Sequence, residues 1–299
     1  MMKRKFSTMT DLESIIEHQL VKVNGITLHV VTAGPKDGEP VVLLHGFPEF
    51  WYGWKHQIPA LAAAGFRVIV PDQRGYNQSD KPKGLDPYTI DHLTGDVVAL
   101  IEAMGYTSAN VVGHDWGAIV AWSLAILHPD RVRKLGILNV PHPVVFQKTL
   151  RKNFGQLLKS WYVFSFQLPS LPEWMMARGD YSFAATMIKR SGKPTTFSDA
   201  DLEKYKAAWR NQGAMTGMIN WYRAYVQKPP VTPENVRLSM PTLMIWGAKD
   251  QFLSASMAQP SIDLCDDGKL VMIEDATHWV QHDAAAQVSG LLLDFLGKG

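Results

Sequence analysis

The chain has 299 residues, 46% of them apolar, a net charge of +2 and a single cysteine, Cys265. That length suits one large α/β domain carrying an insertion, or two small domains. Near-neutral charge without a dense Lys/Arg stripe offers nucleic acid no electrostatic hold, and one cysteine excludes a disulfide framework or a thiolate metal cluster.

No stretch is apolar for long enough to span a bilayer. The start, Met1-Met2-Lys3-Arg4-Lys5-Phe6, is basic like the head of a signal peptide, but Asp11 and Glu13 arrive before any apolar region. The expectation is a soluble, cytoplasmic protein. Cys265 reads as a small buried residue.

Two alternating runs, Leu20 to Val23 and Ile26 to Val31, flank Asn24-Gly25, the strongest short signal for a hairpin. Pro40 to Leu44 is apolar throughout, as a strand buried on both faces of a parallel sheet must be. It ends in His45-Gly46-Phe47-Pro48-Glu49, where a glycine lets the backbone turn and aim amides into a cavity. His45 reads as a brace for that loop rather than a chemical group.

Trp54 to Ala64 reads as a helix and Arg67 to Val70 as a strand. The charged loop Asp72 to Asp80 has the spacing of a hydrogen-bonded structural loop rather than of a metal site. Ile90 to Met104 has helical periodicity, with Asp91 as N-cap and Gly105 as terminator.

Asn110-Val111-Val112 then leads into Gly113-His114-Asp115-Trp116-Gly117, followed by a helical pattern from Ile119 to Leu127. Small residues two positions either side of an apex residue, between a strand and a helix, form the pattern of a nucleophile elbow. The apex is Asp115. A carboxylate attacking an acyl carbon gives a high-energy anhydride, whereas attack on a saturated carbon gives an ordinary ester. An Asp elbow therefore points to displacement at an alkyl carbon, as in epoxides and alkyl halides. The competing reading is a helix N-cap aspartate.

After the strand Leu135 to Leu138 the alternation breaks. Residues 141–230 form an aromatic, amphipathic helical insertion, closed by Pro229, Pro230 and Pro233. It reads as a lid, most of its rings packing onto the main domain and a few lining an apolar pocket. Residues 1–140 and 231–299 form the core domain.

The strand pattern returns at Pro241 to Trp246, with Asp250 just past its end. A helix from Ser256 to Leu264 and a strand from Leu270 to Ile273 follow, then Thr277-His278-Trp279 and a helix from Asp283 to Leu296. Nucleophile, acid and histidine occur in the order of an α/β-hydrolase triad. All three sit at the carboxyl ends of strands, where open α/β sheets bind ligands. His114, His142 and His282 compete for the base, and Asp275 competes with Asp250.

These motifs resemble the epoxide hydrolase branch of the α/β-hydrolase superfamily from about Leu20 to Leu296. They are His45-Gly-Phe-Pro-Glu49, Gly113-His-Asp-Trp-Gly117, Trp246-Gly-Ala-Lys-Asp250 and Thr277-His278-Trp279. Two lid segments, Ser160-Trp-Tyr162 to Pro169 and Asn220-Trp-Tyr222-Arg223, add to the likeness.

The resemblance implies an α/β fold with a mostly parallel central sheet flanked by helices and a helical lid after the sixth strand. It implies Asp115 as nucleophile, His278 as base and Asp250 as its acid. Tyr162 and Tyr222 would hold the epoxide oxygen, with Tyr225 and then Tyr181 as substitutes for Tyr162. Phe47 and Trp116 would form the oxyanion hole through their amides, and these two with Tyr162 and Tyr222 would contact substrate. The substrate would be a small apolar epoxide with water as co-substrate, no cofactor or metal taking part, in a monomer or homodimer. A haloalkane dehalogenase shares the triad, but has Asn or Glu where Phe47 stands. A fluoroacetate dehalogenase would carry an Arg pair near the nucleophile, and Trp116 to Val120 holds no Arg. A non-catalytic binding protein on this fold would show a broken triad.

Overall fold

A computed structural model of the protein describes residues 12–297 except 153, 232, 234 and 235. The basic start of the chain lies outside the described residues. Eight strands form one sheet in the order β1-β2-β4-β3-β5-β6-β7-β8. They are β1 (Ile16–Val23), β2 (Ile26–Ala33), β3 (Pro40–Leu44), β4 (Arg67–Pro71), β5 (Ala109–His114), β6 (Val132–Leu138), β7 (Thr242–Gly247) and β8 (Gly268–Ile273). β1 and β2 are antiparallel, as are β2 and β4; the other pairings are parallel.

The hairpin is where Asn24-Gly25 puts it. Val23 pairs with Ile26 across a two-residue turn, and both turn residues have positive φ, 45° and 78°. That is the backbone an Asn-Gly pair tolerates and whose twist matches the flanking strands. β3, β4, β5 and β7 are buried along their whole length, as the unbroken apolar runs require.

Helices cover both faces, among them α1 (Gln57–Ala63), α2 (Ile90–Ala103) and α3 (Trp116–Leu127). The reading of one helix from Trp54 is corrected: a 3-10 turn at Trp51–Trp54 precedes α1. Asp91 is not the N-cap of α2. Thr89 occupies that position with extended backbone, and Asp91 lies inside the first turn. The other end is as expected: Gly105, with φ 87°, reverses the chain, and Tyr106 N–H donates to the Ile101 carbonyl.

The Asp72 loop is tied to β2 and to the turn at Trp51 as well as to itself. The Asp72 carboxylate meets His29 at 2.6 Å and accepts from Asn77 and from the Trp51 amide, at 2.7 and 2.9 Å. Cys265 is buried.

Between β6 and β7 the described residues form seven helices: α4 (Pro143–Lys152), α5 (Phe154–Lys159), α6 (Trp161–Ser165), α7 (Leu171–Ala177), α8 (Ser182–Ser191), α9 (Asp199–Trp209) and α10 (Ala214–Gln227). Ser198 and Asp201 form a capping box at the start of α9. Trp209 and Trp221 are buried, and their indoles donate to the Pro48 and Arg74 carbonyls at 2.6 and 3.0 Å. They fasten the helical insertion to the loops after β3 and β4. Phe166, Trp209, Trp221 and Tyr222 are buried and Tyr162, Tyr181 and Tyr225 pack against the core, as expected of most rings in the insertion; Trp161, Phe164, Trp174 and Phe183 are exposed.

α11 (Ala258–Ile262) follows β7. After β8 come a short α12 (Val280–Asp283), which the sequence reading did not mark, and α13 (Ala285–Leu296), which starts two residues after the expected Asp283.

Candidate active site

Asp115 sits between β5 and α3 with φ 50° and ψ −122°, a conformation costly for a residue with a side chain. Crowding enforces it. A Cβ on Gly113 would lie 2.3 Å from the Gly117 carbonyl oxygen, and one on Gly117 would lie 2.1 Å from that of Leu44. Only glycine fits either place. Asp115 occupies the N-cap position of α3, but its side chain makes no cap hydrogen bond. The N-cap reading therefore fails.

The carboxylate points elsewhere. Phe47 N–H donates to Oδ1 at 2.6 Å, and His278 Nε2 lies 3.4 Å from Oδ2. Gly46 permits this approach, since a Cβ there would stand 2.3 Å from Asp115 Cβ. Trp116 is the first residue of α3, next to Asp115. A cis peptide joins Phe47 to Pro48.

On its far side His278 presents Nδ1 to Asp250 Oδ2 at 2.8 Å. Asp250 is buried, and its Oδ1 accepts from the amides of Phe252 and Leu253 at 2.7 and 2.9 Å. Asn139 Nδ2 donates to Oδ2 at 2.8 Å. Asp275 is exposed and paired with Lys249, so it is no partner for the histidine.

Burial works against a charge on His278, but the Asp250 carboxylate and the hydrogen bond to Asp115 outweigh it. The imidazole is pushed up to about 10. Burial favours a neutral Asp250 too; the charge of His278 overrides it and holds the carboxyl below its ordinary value.

The other histidines have structural partners. His45 accepts from the Gln73 amide at 3.1 Å, and burial lowers it. His114 Nε2 donates to the His278 carbonyl at 2.8 Å. His142 Nε2 lies 3.1 Å from the Val236 carbonyl. His282 Nε2 lies 2.8 Å from Glu49 Oε1, which also accepts from the Tyr205 hydroxyl at 2.7 Å. Burial opposes ionisation of Glu49, but His282 and His114 hold its carboxyl well below the usual range. The sequence reading attached no role to Glu49 or Asn139. Asn139 left the clearest trace, a polar residue directly after an apolar strand.

Above Asp115 opens a cavity of about 660 Å³, mouth included, walled by Ile119, Val140, Phe146, Val163 and Leu253. Trp116, Tyr162, Tyr222 and Tyr225 also line it. The rings of Tyr162 and Tyr222 are 6.0 Å apart, and Tyr222 stands edge-on to Trp116 and Phe47 at 4.9 and 5.2 Å. Burial, with the nearby Asp115 charge second, raises both phenols, keeping them protonated. Tyr225 packs on Trp116 at 5.6 Å. Tyr181 packs on Trp209, apart from the residues that line the cavity.

Residues 39–285 match the family model described as "alpha/beta hydrolase fold". The chain is 46% identical to the AB hydrolase superfamily protein YfhM of Bacillus subtilis, covering 94% of this chain and 98% of that protein. It is 38% identical to Epoxide hydrolase 1 of Caenorhabditis elegans, over 94% of this chain and 70% of that one. A crystal structure of the Bacillus megaterium epoxide hydrolase with an inhibitor superposes with a TM-score of 0.86. That match has 32% identity and covers 94% of this chain and 100% of the other. An Asp elbow, its histidine and acid, and a cavity with buried phenols thus sit in a chain that belongs to the epoxide hydrolase branch of the α/β-hydrolase family.

Proposed function

We propose that the protein hydrolyses apolar epoxides to vicinal diols through an ester on Asp115. The observation that carries this reading is the Asp115 carboxylate, held between an amide and an imidazole and facing a cavity with two buried phenols.

Tyr162 and Tyr222 hydrogen-bond the epoxide oxygen and disperse the charge that develops as the ring opens. Asp115 Oδ2 attacks the ring carbon, and the C–O bond of the ring breaks. Oδ1, already on the Phe47 amide, becomes the ester carbonyl oxygen. The resting pair is carboxylate and imidazolium, as the raised His278 requires. Esterification removes the Asp115 charge that helps hold that proton. The proton passes to the new alkoxide, and His278 is left neutral.

His278, oriented by Asp250, then takes a proton from water as the hydroxyl attacks the Asp115 carboxyl carbon. The oxyanion rests against the Phe47 and Trp116 amides. Collapse returns the carboxylate, releases the diol and leaves His278 protonated again. Atoms and protons balance with these residues and water alone. The insertion 141–230 serves as the lid that supplies both phenols and keeps the ester from bulk solvent.

The reading is tested with styrene oxide, a terminal alkyl epoxide and 1-haloalkanes. Diol from the epoxides without halide from the haloalkanes is the expected result. Halide release without diol would overturn it in favour of a dehalogenase, and neither product would leave a binding protein.

A further inference from the structure

The segment carrying Tyr162 is apolar on both sides. Tyr162 and Val163 line the cavity and Phe166 is buried. Leu157, Leu158, Trp161, Phe164 and Leu168 recur at helical spacing on the outside, with Leu158, Trp161 and Phe164 57%, 61% and 58% exposed. Helical segments that are apolar all round are ordinarily covered on every side, and an exposed apolar patch marks an interaction surface.

The neighbouring charge identifies what covers it. From Arg131 to Pro172 the sequence contains no Asp or Glu. Within that stretch Lys148, Arg151, Lys152 and Lys159 are exposed on α4 and α5. The next carboxylate, Glu173, is taken by Arg223 at 2.6 Å. A chain with 30 basic and 28 acidic residues has thus gathered cations, without carboxylates, beside its exposed aromatics.

We propose that the outer face of α4, α5 and α6 docks on an anionic lipid surface. Trp161, Phe164 and Leu158 enter the headgroup layer, and the four cations lie over the phosphates. Trp, Phe and Leu beside Lys and Arg is the composition of helices that lie in the membrane interface. A two-fold contact with a second copy would set the same four cations against themselves. The docking is shallow, and no helix of the described residues is long and apolar enough to cross a membrane.

The opposite side of α4 and α6 faces the cavity through Phe146 and Tyr162. If the epoxide reading holds, on which this consequence alone rests, docking brings the cavity to the bilayer where apolar epoxides concentrate.

The full-length protein is sedimented with vesicles of phosphatidylcholine, with and without phosphatidylglycerol. Binding is expected only with phosphatidylglycerol at low salt, and should vanish near ~1 M salt, where charges are screened beyond ~3 Å. Lys152→Glu with Lys159→Glu, and separately Trp161→Ser with Phe164→Ser, should each lower partition by about tenfold or more. Melting temperature and turnover of a water-soluble epoxide should stay within about twofold or a few degrees of wild type, since surface substitutions perturb little. Wild-type protein left in the supernatant would overturn the proposal, as would binding indifferent to both double variants. So would a dimer in sedimentation equilibrium that Trp161→Ser with Phe164→Ser splits. Vesicle binding is read without turnover, so its failure and a failure of the epoxide assay are separate results.

Discussion

Asn139 Nδ2 and His278 Nδ1 converge on one oxygen, Asp250 Oδ2, each at 2.8 Å. Asn139 has φ 54°, and its other amide atom, Oδ1, accepts the Gly247 N–H at 2.9 Å. One side chain therefore bridges the ends of β6 and β7 and fixes where Asp250 aims. Asn139→Ala should slow ester hydrolysis by about ten- to a hundredfold, about 1.4 to 2.7 kcal/mol, and leave ester formation nearly unchanged. Single-turnover kinetics separate the two steps. An equal loss in both would make Asn139 a general support of the fold.

Asp115→Ala should abolish both diol formation and covalent labelling. His278→Gln should still form the ester but fail to release it, and intact-protein mass spectrometry should show the trapped adduct. Diol formation by Asp115→Ala, or no adduct on His278→Gln, would overturn the two-step route.

Tyr162→Phe and Tyr222→Phe should each slow alkylation by roughly ten- to a thousandfold, about 1.4 to 4 kcal/mol, and the double variant should be nearly inactive. The rings remain, so the packing of Tyr222 on Trp116 and Phe47 should survive and melting should change little. Wild-type alkylation rates in both variants would remove these phenols from the reaction.

Asp250 and Asp115 push His278 in the folded protein up to about 10, well above an ordinary histidine. A raised folded value means its stabilisation is complete below about pH 6.5 and is lost as pH climbs through 10. The melting temperature of the wild type should fall between pH 7 and pH 10 by about 5 °C more than that of His278→Gln. Parallel curves for the two proteins would show that the ion pair is not formed in solution.

Arg74 donates through Nε to Asp96 Oδ2 at 2.5 Å, and both side chains are buried. Asn24 adds a bond to the same carboxylate at 2.9 Å. Asp96→Ala would strand a guanidinium inside the protein and should cost about 3 to 5 kcal/mol, read by urea unfolding. It lies under the loop after β4, and kcat should change far less than stability.

The strands and the meeting of Asp115, His278 and Asp250 were legible because each rests on local pattern. Unbroken apolar runs mark the buried strands, Asn24-Gly25 marks the turn, and Gly113 and Gly117 mark the crowding around Asp115. Asp250 and Asp275 both lie beyond strand ends; Asp275 comes second because it is only three residues from His278, and its exposed pair with Lys249 agrees. What the sequence concealed comes from residues far apart in the chain. Glu49 meets Tyr205 and His282 across 156 and 233 positions, and no local rule announces such a meeting. Asp91 misled because any acidic residue near a helix start resembles a cap, while the backbone put Thr89 there. Which rings of the insertion point outward, Trp161 and Phe164 among them, was not legible, because periodicity reports a face without saying which way it points.

The donor to Asp115 Oδ1 is the main-chain amide of Phe47. Every amino acid except proline carries that N–H, so a randomised library at position 47 would keep the contact in nearly all its members. The ring there, by contrast, leans on Tyr222 and Phe166. The side chain at position 47 can therefore vary widely while the polar contact to the carboxylate is inherited with the backbone.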